Sequence, residues 1–229
     1  MTTLNEVEVR CAVCGLLGRK AVLTSTNSFG PPDLDLRPQG PARWALEFEV
    51  QRCDGCGYCA GSIGQAPVGA RETVESIVYR DVLERSKLPK LARRLFCAAL
   101  VSEAADEPEQ AAWQFLQAAW ACDDKRARGH ARTCRERSAE MFGRALKTGE
   151  AEAPQAVVLT LSADLWRRAG RFDQAIVAAA EAEQILGEET DEGDEEASGA
   201  AAIATYIRGL AEEGDDDLHN VAEVFAGED

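Results

Sequence analysis

The 229-residue chain carries 40 acidic against 25 basic side chains, a net charge of −15, and eight cysteines. It has no apolar run long enough to span a bilayer. Fifteen acids and one base, Arg208, lie between Gly187 and Asp229, so that segment holds −14 of the charge and the rest is nearly neutral; such a tail disfavours nucleic acid and anionic membranes as partners.

Glu6 and Glu8 stand where a signal peptide would have a basic start and an apolar block, so the expectation is a cytoplasmic chain with reduced thiols. Glu6 to Arg10 alternates as a half-buried strand and runs into Cys11-Ala-Val-Cys14-Gly15. Lys20 to Thr24 reads as the return strand. A proline-rich segment, Ser28 to Pro38, cannot hold a strand or a helix and is expected as a loop. Trp44, Leu46, Phe48 and Val50 alternate with smaller or charged residues, which predicts a third strand entering Cys53-Asp-Gly-Cys56-Gly57. The two C-x-x-C-G knuckles can set four thiolates tetrahedrally around one ion. The glycine after each second cysteine suits a turn with positive φ that brings amides close to sulfur.

After Ala70 the apolar period becomes helical. Val74, Ile77, Val78 and Val82 predict one face of a helix over 71–86. Pro89 opens the next helix, with Leu91, Leu95, Ala98 and Ala99 inward. Asp106 or Glu107 is expected to cap a third, whose buried stripe is Ala111, Ala112, Phe115, Leu116, Ala119 and Trp120. Further helices follow over 129–147 and from Pro154. Glu188 to Gly199 reads as a mobile acidic linker. A helix over 198–213 presents Ile203, Tyr206, Ile207 and Leu210, and Asp215-Asp216-Asp217 is expected to cap a short last helix, Leu218 to Phe225.

Leu161 to Ala175 resembles a tetratricopeptide repeat, with Gly170 and Phe172 in the turn and Ala175, Ala179 and Ala182 on the packed second helix. Together with the paired knuckles and Ala119-Trp120-Ala-Cys-Asp123-Asp124, the chain resembles a bacterial domain-of-unknown-function family over roughly residues 5–186. Members join an N-terminal zinc ribbon to a tetratricopeptide-like helical part. The resemblance implies that architecture and no established activity. It places Cys59 where the family has a small, non-ligating residue.

The expected fold class is α+β. A zinc ribbon with its proline-rich loop fills 1–70, a tetratricopeptide-like helical domain 71–186, and an acidic linker with C-terminal helices 187–229. The proposed metal ligands are Cys11, Cys14, Cys53 and Cys56. Four thiolates leave no open position, so one structural zinc is expected, with iron in a rubredoxin-like site as the alternative. Cys97, Cys122, His130 and Cys134 match no metal spacing, and Cys97 and Cys134 read as core. Cys59 reads as a small residue packed under the knuckle, with a redox-active thiol as the sharper alternative.

Candidate partner-binding residues are Asp33, Asp35 and Arg37 on the proline-rich loop, and Arg126, Arg128, Arg132 and Arg135 in a basic strip. The strip has a third possible occupant, the chain's own acidic tail. No nucleophile elbow, phosphate loop, dinucleotide fingerprint or H-E-x-x-H occurs. The function expected is therefore a non-enzymatic, zinc-binding adaptor for a protein or peptide. A redox protein with iron in the site and a nucleic-acid binder using ribbon and strip are the alternatives.

Overall fold

The computed structural model describes residues 2–189 and 195–226. Strands β1 (Thr3–Arg10) and β2 (Leu17–Ser25) form an antiparallel hairpin whose turn is the first knuckle. A second, much shorter hairpin, β3 (Gln51–Arg52) with β4 (Cys59–Ala60), carries the second knuckle. The first hairpin departs from the half-buried strand expected: Val7 is exposed, and Val9 alone of β1 packs on the core.

The third strand expected at Trp44–Val50 is instead a short helix α1 (Pro41–Ala45) running into a 3-10 turn, Leu46–Phe48. Pro41 supplies a helical φ at the first turn, where its missing N–H costs nothing. The buried residues Ala45, Leu46 and Val50 do not follow a period of two, and Trp44 points to solvent. The alternation of large and small side chains resembled a strand, but burial did not use it.

The helix expected over 71–86 is broken. Helix α2 (Ala70–Glu75) ends at Ser76, whose backbone is extended at ψ 151°. The Ser76 hydroxyl then accepts from the Tyr79 N–H and starts α3 (Ile77–Arg80), followed by a π turn, Asp81–Arg85. The break rotates the face. Val74, Tyr79 and Leu83 go inward, and Ile77, expected inside, is 73% exposed, with Val78 also outside.

The long helices follow: α4 (Lys90–Ala104), α5 (Pro108–Asp123), α6 (Arg128–Thr148), α7 (Gln155–Arg168), α8 (Phe172–Glu189) and α9 (Glu195–Glu212), each packed on its neighbour. The expected stripe of α5 is buried throughout. Neither Asp106 nor Glu107 caps α5 with its side chain; Asp106 has φ 63° and pairs with Arg144. Gly170, at φ 76°, makes the tight turn between α7 and α8, and Ala175, Ala179 and Ala182 of α8 are buried, as small residues must be where helices approach closely. The final helix α10 (Val221–Val224) is capped by Asn220 in a capping box with Glu223, and not by Asp215–Asp217. The centre of the acidic segment expected as a linker, 190–194, lies outside the described residues.

One cluster of buried side chains runs from Cys11 and Cys53 through Tyr79 and Leu95 to Phe142 and Leu165, crossing the boundary placed at residue 70. A second cluster joins Leu34 of the proline-rich loop to Ala163, Ala179, Ile207 and Leu210. The fold is thus α+β, a small strand region with the cysteine cluster followed by a multi-helix part. Among the described residues no helix is long and apolar enough to cross a membrane.

Candidate functional site

The two knuckles repeat one backbone pattern. In the first, the Cys11 N–H donates to the Leu16 carbonyl at 2.9 Å and the Gly15 N–H to the Cys11 carbonyl at 2.8 Å. In the second, Cys53 N–H donates to Tyr58 O at 2.8 Å and Gly57 N–H to Cys53 O at 3.0 Å. Gly15 and Gly57 have φ 79° and 80°, a region costly for any residue with a Cβ. Each turn thereby aims two sulfurs at the same point.

The four Sγ atoms of Cys11, Cys14, Cys53 and Cys56 all lie within 4.8 Å of one another. Across the knuckles, Cys11 to Cys56 is 3.7 Å and Cys14 to Cys53 is 3.5 Å. A tetrahedral ion with metal–sulfur bonds of about 2.3 Å needs sulfurs about 3.8 Å apart, so the donor set fits one ion. No disulfide forms, and all eight cysteines are free thiols. Burial pushes the Cys56 thiol up to about 12 and raises Cys11 as well. A hydrogen bond from the Leu16 backbone lowers Cys14 to about 7. Four thiolates this close repel one another unless a cation holds them, and metal binding would release the remaining protons.

The helices grip both knuckles. The Tyr79 hydroxyl donates to Gly57 O at 2.9 Å and accepts from Cys59 N–H at 3.0 Å, with no part of the side chain in solvent. Leu83 of the π turn lies so close that a Cβ on Gly57 would come within 2.5 Å of its Cδ2. Arg71 of α2 donates to the Val13 carbonyl of the first knuckle. The Ala12 N–H reaches Ile63 O at 2.8 Å, beyond β4. Cys59 is fully buried and its Sγ donates to Gly57 O at 3.4 Å. Cys97 is buried beside it, its thiol raised by the hydrogen bond with Cys59 and by burial. Cys122 and Cys134 are buried too, and among the described residues the four knuckle cysteines are the one group placed to hold a metal.

The other candidate residues stand differently from expectation. Asp33, Asp35, Arg37 and Arg135 do not present a surface; all four are buried. Asp35 Oδ2 accepts from Arg135 and from Arg168, both at 2.9 Å. Asp123 accepts from the same two arginines at 2.6 and 3.2 Å. Arg37 donates to Asp124 at 2.7 Å, and Arg43 to Asp33 at 2.9 Å. Burial would raise the Asp35 carboxyl, but Arg168 and Arg135 outweigh it and hold it at about 2. For Asp33 burial wins over Arg43 and the carboxyl is raised. The prolines thus order a loop whose charges turn inward, because those charges have partners on α1, at the end of α5, and on α6 and α7. Sequence spacing could not show Arg168, the residue that completes the network.

The exposed part of the basic strip meets the acidic tail. Arg128 pairs with Asp217 at 2.7 Å, and Arg132 pairs with Asp216. Arg167, fully buried and held by Asp164, donates to the backbone carbonyls of Asp215 and Asp217 at 2.9 and 3.0 Å. The proline-rich loop binds the same segment: Leu34 N–H donates to His219 O and Val221 N–H to Pro32 O, each at 3.0 Å. Arg126, at φ 55°, makes no ion pair among the described residues.

No family model matches the chain, and neither a curated protein nor a solved structure does.

Proposed function

We propose that the chain is a zinc-binding, non-enzymatic adaptor whose four-cysteine centre is structural and whose helical hairpins present a surface to a protein or peptide partner. The carrying observation is the donor set: four sulfurs within 4.8 Å of one another would saturate a tetrahedral ion, leaving no position for a reacting water. The knuckles are tied to the helices through Tyr79, Leu83 and Arg71, so the ion would stiffen a joint between the strand region and the helices. Zinc held by Cys11, Cys14, Cys53 and Cys56 would supply cross-linking and no redox or acid–base step. The α7–α8 hairpin, with its buried alanines and glycine turn, supports the tetratricopeptide-like reading of the helical part.

A rubredoxin-like reading has one observation in its favour: Cys14 is exposed, which would give an iron centre an outlet for electrons. The nucleic-acid reading is weakened, because Arg135 is buried and Arg128 and Arg132 already face carboxylates.

Metal analysis of protein purified from cells grown without added metal tests the centre. One zinc per chain is expected. A Cys53→Ser/Cys56→Ser variant should lose that zinc and the ordered knuckles yet keep far-ultraviolet helicity. Iron with visible thiolate absorption would move the redox reading to first place. The adaptor role is tested by proximity labelling in cells with co-elution: a protein labelled at the helices and co-eluting with the chain is expected, and a chain that labels nothing and always elutes alone ends that reading.

A further inference from the structure

A pocket of about 450 Å³ opens between the proline-rich loop, α6 and the tail. Seven arginines line it, and four carboxylates outside the tail, those of Asp33, Asp35, Asp123 and Asp124, pair with them. Three positive charges are left over, and Asp216 and Asp217 answer two of them through Arg132 and Arg128. The third is Arg126 on the rim. Among the lining residues, the Nε atoms of Arg37, Arg135 and Arg168 have no hydrogen-bond partner, and Arg37 and Arg135 are almost completely buried. The pocket therefore has more donors than the chain's own acids use.

The tail also shows what chemistry fits. Consecutive aspartates, Asp216 and Asp217, place one carboxylate on Arg132 and one on Arg128 while Arg167 holds the backbone carbonyls of Asp215 and Asp217. That combination of main-chain carbonyls and adjacent carboxylates belongs to a peptide. The tail backbone is held firmly, by Arg167 below and by the Pro32–Leu34 segment beside it, but the Asp217 and Arg128 side chains are each more than 70% exposed. Exposed pairs of this kind exchange readily, because water and salt screen them and they contribute little.

We propose that the arginine pocket is a binding site for an acidic peptide segment of a partner protein, with adjacent Asp or Glu side chains seated on Arg126, Arg128 and Arg132, and that Asp216 and Asp217 are its built-in competitor. The proposal rests on the adaptor reading and names the ligand of that adaptor. The tail carboxylates hold the pocket until a denser acidic segment displaces them. Binding should be steep in salt once the tail carboxylates are removed, when every pair formed is new, and shallower in the parent chain, where only the pair to Arg126 is a net gain.

The test uses the full chain and a fluorescein-labelled peptide containing four consecutive Asp or Glu residues, read by anisotropy. An Asp216→Asn/Asp217→Asn variant should bind about ten-fold more tightly than the parent chain, because removing an internal competitor raises the competent fraction. Adding Arg128→Gln/Arg132→Gln to that variant should abolish binding, with helicity and metal content unchanged. Equal affinity of the parent and the Asn variant overturns the competitor. Binding that survives loss of Arg128 and Arg132 overturns the site. Inorganic phosphate that displaces the peptide at equal concentration makes this a small-anion site and overturns the peptide assignment. Dimerisation of the parent chain that the Asn variant abolishes assigns the pocket to the tail of a second copy and overturns a separate partner. Failure of the peptide to bind a variant that keeps its zinc and helices removes this ligand alone; the adaptor role stands or falls on its own labelling test.

Discussion

Arg135 on α6 donates to Asp35 at 2.9 Å across 100 residues of chain, with the two side chains 2% and 0% exposed. This contact, shared with Arg168 and Asp123, fastens the proline-rich loop to the helices. Its burial raises the cost of breaking it far above that of a surface pair. The Lys20–Asp54 pair is as short, 2.8 Å, but Asp54 is 79% exposed.

Asp35→Asn should therefore destabilise the chain by about 3–5 kcal/mol, since it leaves Arg135 and Arg168 to share the single carboxylate of Asp123 and one inward-facing positive charge uncompensated. Asp54→Asn should change stability by no more than about 0.5 kcal/mol. Urea unfolding followed by circular dichroism compares the two, and similar losses would show that burial is not what makes the Asp35 contact strong.

The same network sets an acid limit. The Asp35 carboxyl is held at about 2 in the fold against an ordinary value of 3.8. A depressed folded value means the stabilisation is complete above about pH 4 and is lost as pH falls towards 2, amounting to about 2 kcal/mol. Asp33 has the opposite sign: its raised carboxyl favours the fold at low pH and loses that contribution as pH rises through its folded value. A stability profile between pH 5 and 2 should fall for the parent chain and be flatter for Asp35→Asn.

Gly15 and Gly57 share a backbone conformation but not a neighbourhood. A Cβ on Gly15 meets nothing within 4 Å, whereas one on Gly57 meets Leu83. Gly15→Ala should cost about 1–2 kcal/mol from the left-handed backbone alone. Gly57→Ala should cost about 1–3 kcal/mol more from overpacking. Pairing it with Leu83→Ala should return part of that increment in thermal unfolding; no recovery would mean that the backbone, and not the contact, sets the cost.

Tyr79→Phe removes one hydroxyl, takes its acceptor from the buried Cys59 N–H and leaves the Gly57 carbonyl with the weak Cys59 thiol as donor. A loss of about 1–3 kcal/mol follows from the buried Cys59 N–H and the weakened partner of the Gly57 carbonyl. Because both belong to the second knuckle and its flank, a metal ion held by the four cysteines should also pass faster to a chromogenic chelator. A chelation rate equal to the parent's would separate Tyr79 from the metal centre.

The features legible in the residues alone are those whose physics is local. Two C-x-x-C-G turns specify where four sulfurs can go, because a knuckle's geometry is set within five residues. The stripe of α5 and the alanines of α8 were readable because a helix repeats its buried face at 3.6 residues whatever lies opposite. Other features depended on distant partners. Ser76 could have continued a helix, and only the demand that Tyr79 and Leu83 reach the second knuckle makes the chain break there and expose Ile77. Trp44 to Val50 alternates like a strand, yet among the described residues no strand pairs with it, and Pro41 favours a helical turn. Charge was the least readable. Asp33, Asp35 and Arg37 looked like a presented surface because polar loop residues usually face water, and tertiary structure brought Arg43, Arg135, Arg168 and Asp124 to them from elsewhere. Whether a charge is a surface feature or a buried clasp is decided by its counter-charge, and a linear sequence does not show which residues will meet.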